Sequence, residues 1–265
     1  MIKKNVLRNI IIIFEILIML VTTGCGLSDK TASAEQTELP PCTVRLETLT
    51  EKITGENDVL VYTISCTYPI INSTTDNNAA DELNKKFKTE AESFVTEIKE
   101  SGAVEKAKSM AEAAAGQDKD FYPHSSTINY TLQYNDNNIV SFLKTREDYT
   151  GGTSRTYYSE GETYNMETGH KYELSEVFEA KNAGLIKILQ NGFKTEIIGS
   201  KEIFEGKTDF TEEEISANMD NLKWYLSSDG MIFFFNPNTI ISDINEILRF
   251  QYNYTGNKSM FKIPV

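Results

Sequence analysis

The residue types able to do chemistry are sparse in this chain, and their spacing points to binding rather than to bond breaking. The two histidines, His124 and His170, stand in unlike contexts without a carboxylate or cysteine at ligand spacing, so no metal site is expected. No Gly-x-Ser-x-Gly elbow, phosphate loop, dinucleotide fingerprint or zincin helix occurs, and the carboxylates are scattered. A non-enzyme without cofactor is therefore expected, with paired carboxylates assembled by the fold as the one catalytic arrangement left open. Recognition chemistry is densest at Tyr149, Thr153, Arg155, Tyr157 and Tyr158. Tyrosine and arginine offer large contact area with a polar end, and Gly151 and Gly152 let a partner's backbone approach. The other reading of these tyrosines is that they pack on a sheet, as strand aromatics do.

Two further reactive side chains are Cys42 and Cys66. Cys42, Val44 and Leu46 share one face of a first strand, Leu60, Tyr62, Ile64 and Cys66 one face of a second, with a turn around Gly55 to Asp58. A register pairing 46 with 62 and 44 with 64 brings Cys42 opposite Cys66, and a disulfide is expected in a compartment where one persists. The alternative is a pair of buried free thiols. Neither has a histidine nearby in sequence to lower its pKa.

The elements that position these residues follow from periodicity. After Tyr68-Pro69, Leu83, Phe87, Ala91, Phe94 and Ile98 mark a helical stripe between Asp76 and Gly116, bent or divided at Gly102. Tyr122 to Tyr134 and Ile139 to Tyr149 alternate as strands around an Asn/Asp turn, completing a helix laid on an antiparallel sheet. Tyr149 to Phe178 then joins two regions of different character, with Gly169 the expected pivot of a tight turn. Beyond it come a helix over Ala183 to Ile198, a short helix opened by the capping-box spacing Thr211 to Glu214, and three strands near Trp224, Met231 to Phe235 and Leu248 to Tyr254. The fold class is α+β in two subdomains, 42–153 and 154–265, each an antiparallel sheet packed by one or two helices.

Charge and the N-terminus address the chain. A net charge of −13 disfavours nucleic acid and anionic lipid surfaces and draws basic partners, or serves solubility alone. Lys3, Lys4 and Arg8 precede an apolar run, Ile10 to Val21, that is shorter than the ~20 residues of a permanent span. A signal peptide over 1–24 is expected, with an uncleaved anchor helix as the alternative. Residues 25–41, rich in Ser, Thr, Ala and Glu and closed by Pro40-Pro41, read as a flexible tether. Val21-Thr22-Thr23-Gly24-Cys25 resembles the lipobox of bacterial lipoproteins, which implies lipid attachment at Cys25 and a place on the extracytoplasmic face of the cell membrane.

Two longer resemblances complete the reading. Ser65-Cys66-Thr67-Tyr68-Pro69 followed by Asp81-Glu82-Leu83-Asn84 resembles the N-terminal domain of the deacetylase PdaC, where a strand ending in Tyr-Pro precedes a helix carrying an Ile/Leu-Asn pair. Tyr164 to Lys171, Leu174 and Val177-Phe178, then Leu226 to Pro237, resembles the C-terminal domain of the RsiV extracytoplasmic region. The resemblance implies a non-catalytic binding module of the bacterial envelope, with a lysozyme-like basic protein or peptidoglycan as partner. A structural role in envelope assembly and an accessory or catalytic role on peptidoglycan are the alternatives. Where relatives often show Gly-Gly-Ala-His-Pro, this chain has Gly151-Gly152-Thr153-Ser154-Arg155.

Overall fold

The computed structural model describes residues 42–73, 78–153, 155–180, 182–199, 209–242 and 246–265; the expected signal segment 1–24, Cys25 and the tether 25–41 lie outside the described residues. Strands β1 (Cys42–Thr54) and β2 (Leu60–Ser73) form a long antiparallel hairpin. Its turn, Glu56–Asp58, holds Asn57 and Asp58 at positive φ. The pairing sets Cys42 against Ser73 and Leu49 against Cys66, which corrects the expected register. A turn centred on 56–58 places each partner seven residues farther along β2 than the 42-to-66 pairing requires. Cys42 and Cys66 thus stand ~23 Å apart along the ladder at ~3.3 Å per residue, far beyond disulfide reach. Both are free and buried.

The expected stripe forms α1 (Ala79–Glu100), burying Leu83, Phe87, Ala91, Phe94 and Ile98. Gly102, at φ 79, ends that run and starts α2 (Ala103–Ala115), because only glycine enters this left-handed region without strain. The two helices carry the chain back over the sheet, so β3 (His124–Asp136) pairs with β2 in parallel, where a wholly antiparallel sheet was expected. Asn137 and Asn138, at φ 51 and 58, turn the chain into β4 (Ile139–Tyr149). Strand β5 (Arg155–Asn165) follows, and the sheet order is β1-β2-β3-β4-β5. The first sheet therefore runs past the expected subdomain boundary at 153/154.

After β5, Gly169 takes φ 71 in the expected turn, and Tyr164 bridges Lys171. The short helix α3 (Leu174–Val177) leads to α4 (Asn182–Gly199), and α5 (Glu212–Ala217) opens on the capping box of Thr211 and Glu214. Strands β6 (Lys223–Leu226), β7 (Gly230–Phe235) and β8 (Leu248–Asn253) make a second, antiparallel sheet in that order. The architecture is mixed α+β with antiparallel pairing predominant.

One core lies between the first sheet and α1 with α2, centred on Phe87, whose ring meets those of Tyr130, Phe142 and Tyr164 edge-on at 5.3, 5.6 and 5.8 Å. A second core packs α4 on the second sheet through Leu189, Phe193, Phe233 and Phe235. Between the sheets, Tyr225, Ile232 and Phe234 pack on Leu143, and β6 crosses β5 at Gly161 so closely that a Cβ there would overlap the Trp224 carbonyl.

Candidate functional site

The β4–β5 ladder decides which expected binding residues share a surface. It sets Tyr149 opposite Arg155, Glu147 opposite Tyr157, and Arg146 opposite Tyr158. Side chains alternate across a strand, so Tyr149, Arg155 and Tyr157 occupy one face and Tyr158 the other, the side of α1. Thr153 lies exposed in the connecting loop. The Arg155 guanidinium sits 4.9 Å over the Tyr149 ring and pairs with Glu147, while the Tyr149 hydroxyl donates to the Gly152 carbonyl at 3.2 Å. Tyr157 and Tyr158 are 43% and 44% exposed. The five residues therefore gather at one end of the sheet but bracket its edge rather than form one patch.

Each exposed tyrosine borders a groove. On the α1 side, Tyr158, Lys144, Arg146 and Glu160 enclose about 290 Å³ with Glu90 and Glu97 of α1. On the other side, Tyr157, Ser159, Glu246, Ile247 and Arg249 border about 410 Å³, and Tyr158 and Arg146 reach its rim as well. The free backbone edge of β5 between them is closed at Ser159. Its N–H donates to Asn236 Oδ1 at 2.6 Å and its carbonyl accepts from Asn236 Nδ2 at 2.9 Å, so one side-chain amide stands in for a neighbouring strand.

Under the first groove lies a charge cluster that was not foreseen from sequence. Glu162, 3% exposed, lies 3.6, 3.9 and 3.8 Å from the ammonium groups of Lys86, Lys144 and Lys171, and accepts from the Tyr164 hydroxyl at 2.7 Å. Glu90 lies between Lys86 and Lys144 and accepts from Tyr130 at 2.8 Å. Burial alone would raise the Glu90 pKa, but the Lys86 hydrogen bond, the charges of Lys86 and Lys144 and the Tyr130 hydroxyl together hold it below the usual carboxylate value. Burial, then the Glu162 charge, pushes both Tyr130 and Tyr164 far upward, so the two phenols act only as donors to carboxylates. The sequence signal was alternation: Lys144 and Glu162 fall in phase with the core residues Phe142 and Tyr164.

A serine, a histidine and an acid also come together on the α1 side. Ser126 donates to Asp148, which also accepts from Arg146, and accepts from the Tyr62 hydroxyl at 2.9 Å. Ser126 is 1% exposed, so no substrate reaches its hydroxyl. His124, two positions away, is equally buried among the rings of Tyr62, Phe121 and Tyr149, and its Nε2 has no hydrogen-bond partner. Burial, and secondarily the Lys106 charge, lowers its pKa. The geometry of nucleophilic catalysis is not met there. His170 sits exposed in the turn, 3.0 Å from Glu176. Among the described residues no cluster of three or more His, Cys, Asp or Glu is arranged to hold a metal.

The face of the first sheet opposite the helices has two halves. Near β6, Ser141, Ser159 and Thr163 are buried, and Ser141 both bonds Thr163 at 2.7 Å and accepts from the Leu226 N–H at 3.1 Å. Away from β6 the ladder aligns Thr48 with Thr67, Asn129 and Thr145 across four strands. A second row runs Thr50, Ser65, Thr127 to Glu147 and Tyr157, and a third runs Lys52, Thr63, Ser125 to Tyr149 and Arg155. These side chains are exposed or half-exposed.

Comparison with known proteins bears on the fold. A family model described as deacetylase PdaC matches residues 53–153, which leaves out most of β1 and all of β5. No curated protein matches the chain. Among solved structures, a DUF3298 family member from Bacteroides fragilis NCTC 9343 superposes with a TM-score of 0.59 at 15% identity, over 84% of this chain and 95% of that one. A DUF3298 family protein from Pseudomonas aeruginosa PAO1 gives a TM-score of 0.50 at 10% identity, with the same shares covered. At such identities the likeness is one of fold.

Proposed function

We propose that this chain is a lipid-anchored binding module on the extracytoplasmic face of the bacterial cell membrane, non-catalytic, which grips its partner at the β4–β5 edge. One observation carries the reading: Tyr157 and Tyr158, both part-exposed, project from opposite faces of one edge strand, each beside a groove. Aromatic side chains so placed are the usual anchors of an interface. The cations at this edge, Lys144, Arg146 and Arg155, are each already paired with carboxylates, whereas the whole chain carries −13. The long-range field thus draws a basic partner, and a lysozyme-like protein is the leading candidate. The basic, apolar and Gly24-Cys25 segments at the N-terminus support the anchor. The matched family model is described as a deacetylase, which favours a second reading, a catalytic or accessory role in deacetylation, with peptidoglycan as the substrate that the sequence resemblance implies.

Calorimetric titration of the full-length chain with lysozyme, at low and high salt and with muropeptides in parallel, tests both readings. Salt-sensitive binding that Tyr158→Ala weakens roughly ten-fold or more is expected for the first. Silence with lysozyme removes that candidate, and heat with muropeptides alone moves the assignment to the cell wall.

A further inference from the structure

Strand β5 is the last of its sheet, and its odd-numbered residues turn their backbone N–H and C=O groups away from β4. Most of that outer edge is already taken. Asn165 donates to the His170 carbonyl at 2.9 Å, the Thr163 carbonyl accepts from the Tyr172 N–H at 2.8 Å, β6 crosses at Gly161, and Asn236 closes Ser159. The same series continues to Tyr157 and Arg155. There no described residue bonds the outward N–H or C=O, and residues 155–158 are all exposed. On the reading that β4–β5 is the binding edge, we infer that an extended segment of a protein partner adds here as a further strand of the sheet, with a lysine or arginine side chain in the groove on the α1 side.

Three features select that occupant. The two open positions lie ~6.8 Å apart along one strand and together offer two donors and two acceptors, the set that an extended backbone reciprocates. Asn236 already makes that reciprocal pair at the next position, so the edge is competent for it.

Alternation then selects the side chains. A strand laid beside β5 points successive residues to opposite faces. The residue beside Tyr157 meets the groove of Ser159 and Ile247, and its neighbour beside Tyr158 meets the groove on the α1 side.

Charge completes the choice. The α1-side groove sets three carboxylates, Glu90, Glu97 and Glu160, against Lys144 and Arg146, and the Glu97 side chain is 60% exposed. A cation from the partner balances that surplus, whereas a second copy of this chain brings −13 against −13.

The test uses the full-length chain in a polyoxyethylene detergent and reads backbone amide exchange by NMR. Two seven-residue probes are added, one alternating valine with arginine and one alternating valine with glutamate. The arginine probe is expected to slow exchange at Arg155 and Tyr157 roughly ten-fold or more, less so at high salt, and the glutamate probe to leave both unchanged. Proline at an outward edge position keeps every bond to β4. Tyr157→Pro should therefore bind the arginine probe roughly ten-fold more weakly than Tyr157→Ala, since both lack the ring and only the proline blocks the edge. No protection by the arginine probe, equal protection by both probes, or equal binding by the two variants would each overturn the proposal. So would protection that grows with protein concentration alone, which marks a second copy. The exchange readout in the wild type holds whether or not Tyr157→Pro folds. Lysozyme is scored separately: silence with it beside protection by the arginine probe removes that candidate and leaves strand addition standing. Lysozyme binding that Tyr158→Ala weakens, beside no protection by the probe, does the reverse.

Discussion

The two halves of the open face of the first sheet, β4 with β5 and β1 to β3, share a pleat and a hydroxyl-rich surface, and differ in what covers them. In the covered half, polar groups are paired between elements: Ser141 serves Thr163 and the Leu226 N–H, and the Ser159 backbone is closed by Asn236. In the bare half, Thr48 and Thr50 bond only across to β2. What permits covering is the absence of a side chain at Gly161 and the presence of an apolar one at Leu143. Strand polarity alone therefore does not tell whether a sheet face is surface or interior. Small residues can seat a second sheet as well as an apolar face does, provided every polar group finds a partner.

Substitutions at the joint should break this contrast most strongly. Gly161→Val drives a branched side chain into the Trp224 backbone, and a loss of about 3 kcal/mol or more is expected in denaturant titration, with Trp224 fluorescence reporting separation of the sheets. Asn236→Ala leaves both Ser159 backbone groups buried and unpaired, for an expected loss of about 2 kcal/mol. An unchanged midpoint would mean that the two sheets are not held by that amide.

The helix-covered face answers to pH instead. Glu90 is held below the usual carboxylate pKa, so its contribution to stability is present above the unfolded-state value and is lost as pH falls through the folded-state value. Lys86→Met removes the largest opposing influence, and acid unfolding should begin at higher pH; an unmoved acid midpoint would argue that the cluster is solvent-screened. The smallest effect concerns the thiols. Burial pushes both Cys42 and Cys66 up to about 11, and no bond joins them. Dithiothreitol should leave the unfolding midpoint unchanged, and alkylation followed by mass spectrometry should label both only after denaturation.

Much of this architecture was legible in the residues. The α1 stripe, the break at Gly102, the span of β4, the Gly169 pivot and the Thr211 cap all follow from local rules that tertiary context did not override. The β1–β2 register was not legible as read, although the turn residues contained it: two strands fold about the centre of their turn, and that centre sits later than the cysteine pairing demands. Adjacency misled in the site as well. Tyr157 and Tyr158 are neighbours in sequence and for that reason point to opposite faces of a strand. The Asn236 contact and the lysine–glutamate cluster join residues far apart in the chain, and no local pattern announces their geometry.

The parallel junction of β2 with β3 has a kinetic consequence. The hairpin of β1 with β2, and the meander of β3, β4 and β5, can each form from neighbouring residues, but Tyr62 meets His124 only after α1 and α2 have spanned the interval. Closing so long a loop before its contacts repay the lost entropy makes this seam the slow step of sheet assembly. Mutations that stabilise α1 should accelerate refolding more than those that stabilise either flanking hairpin.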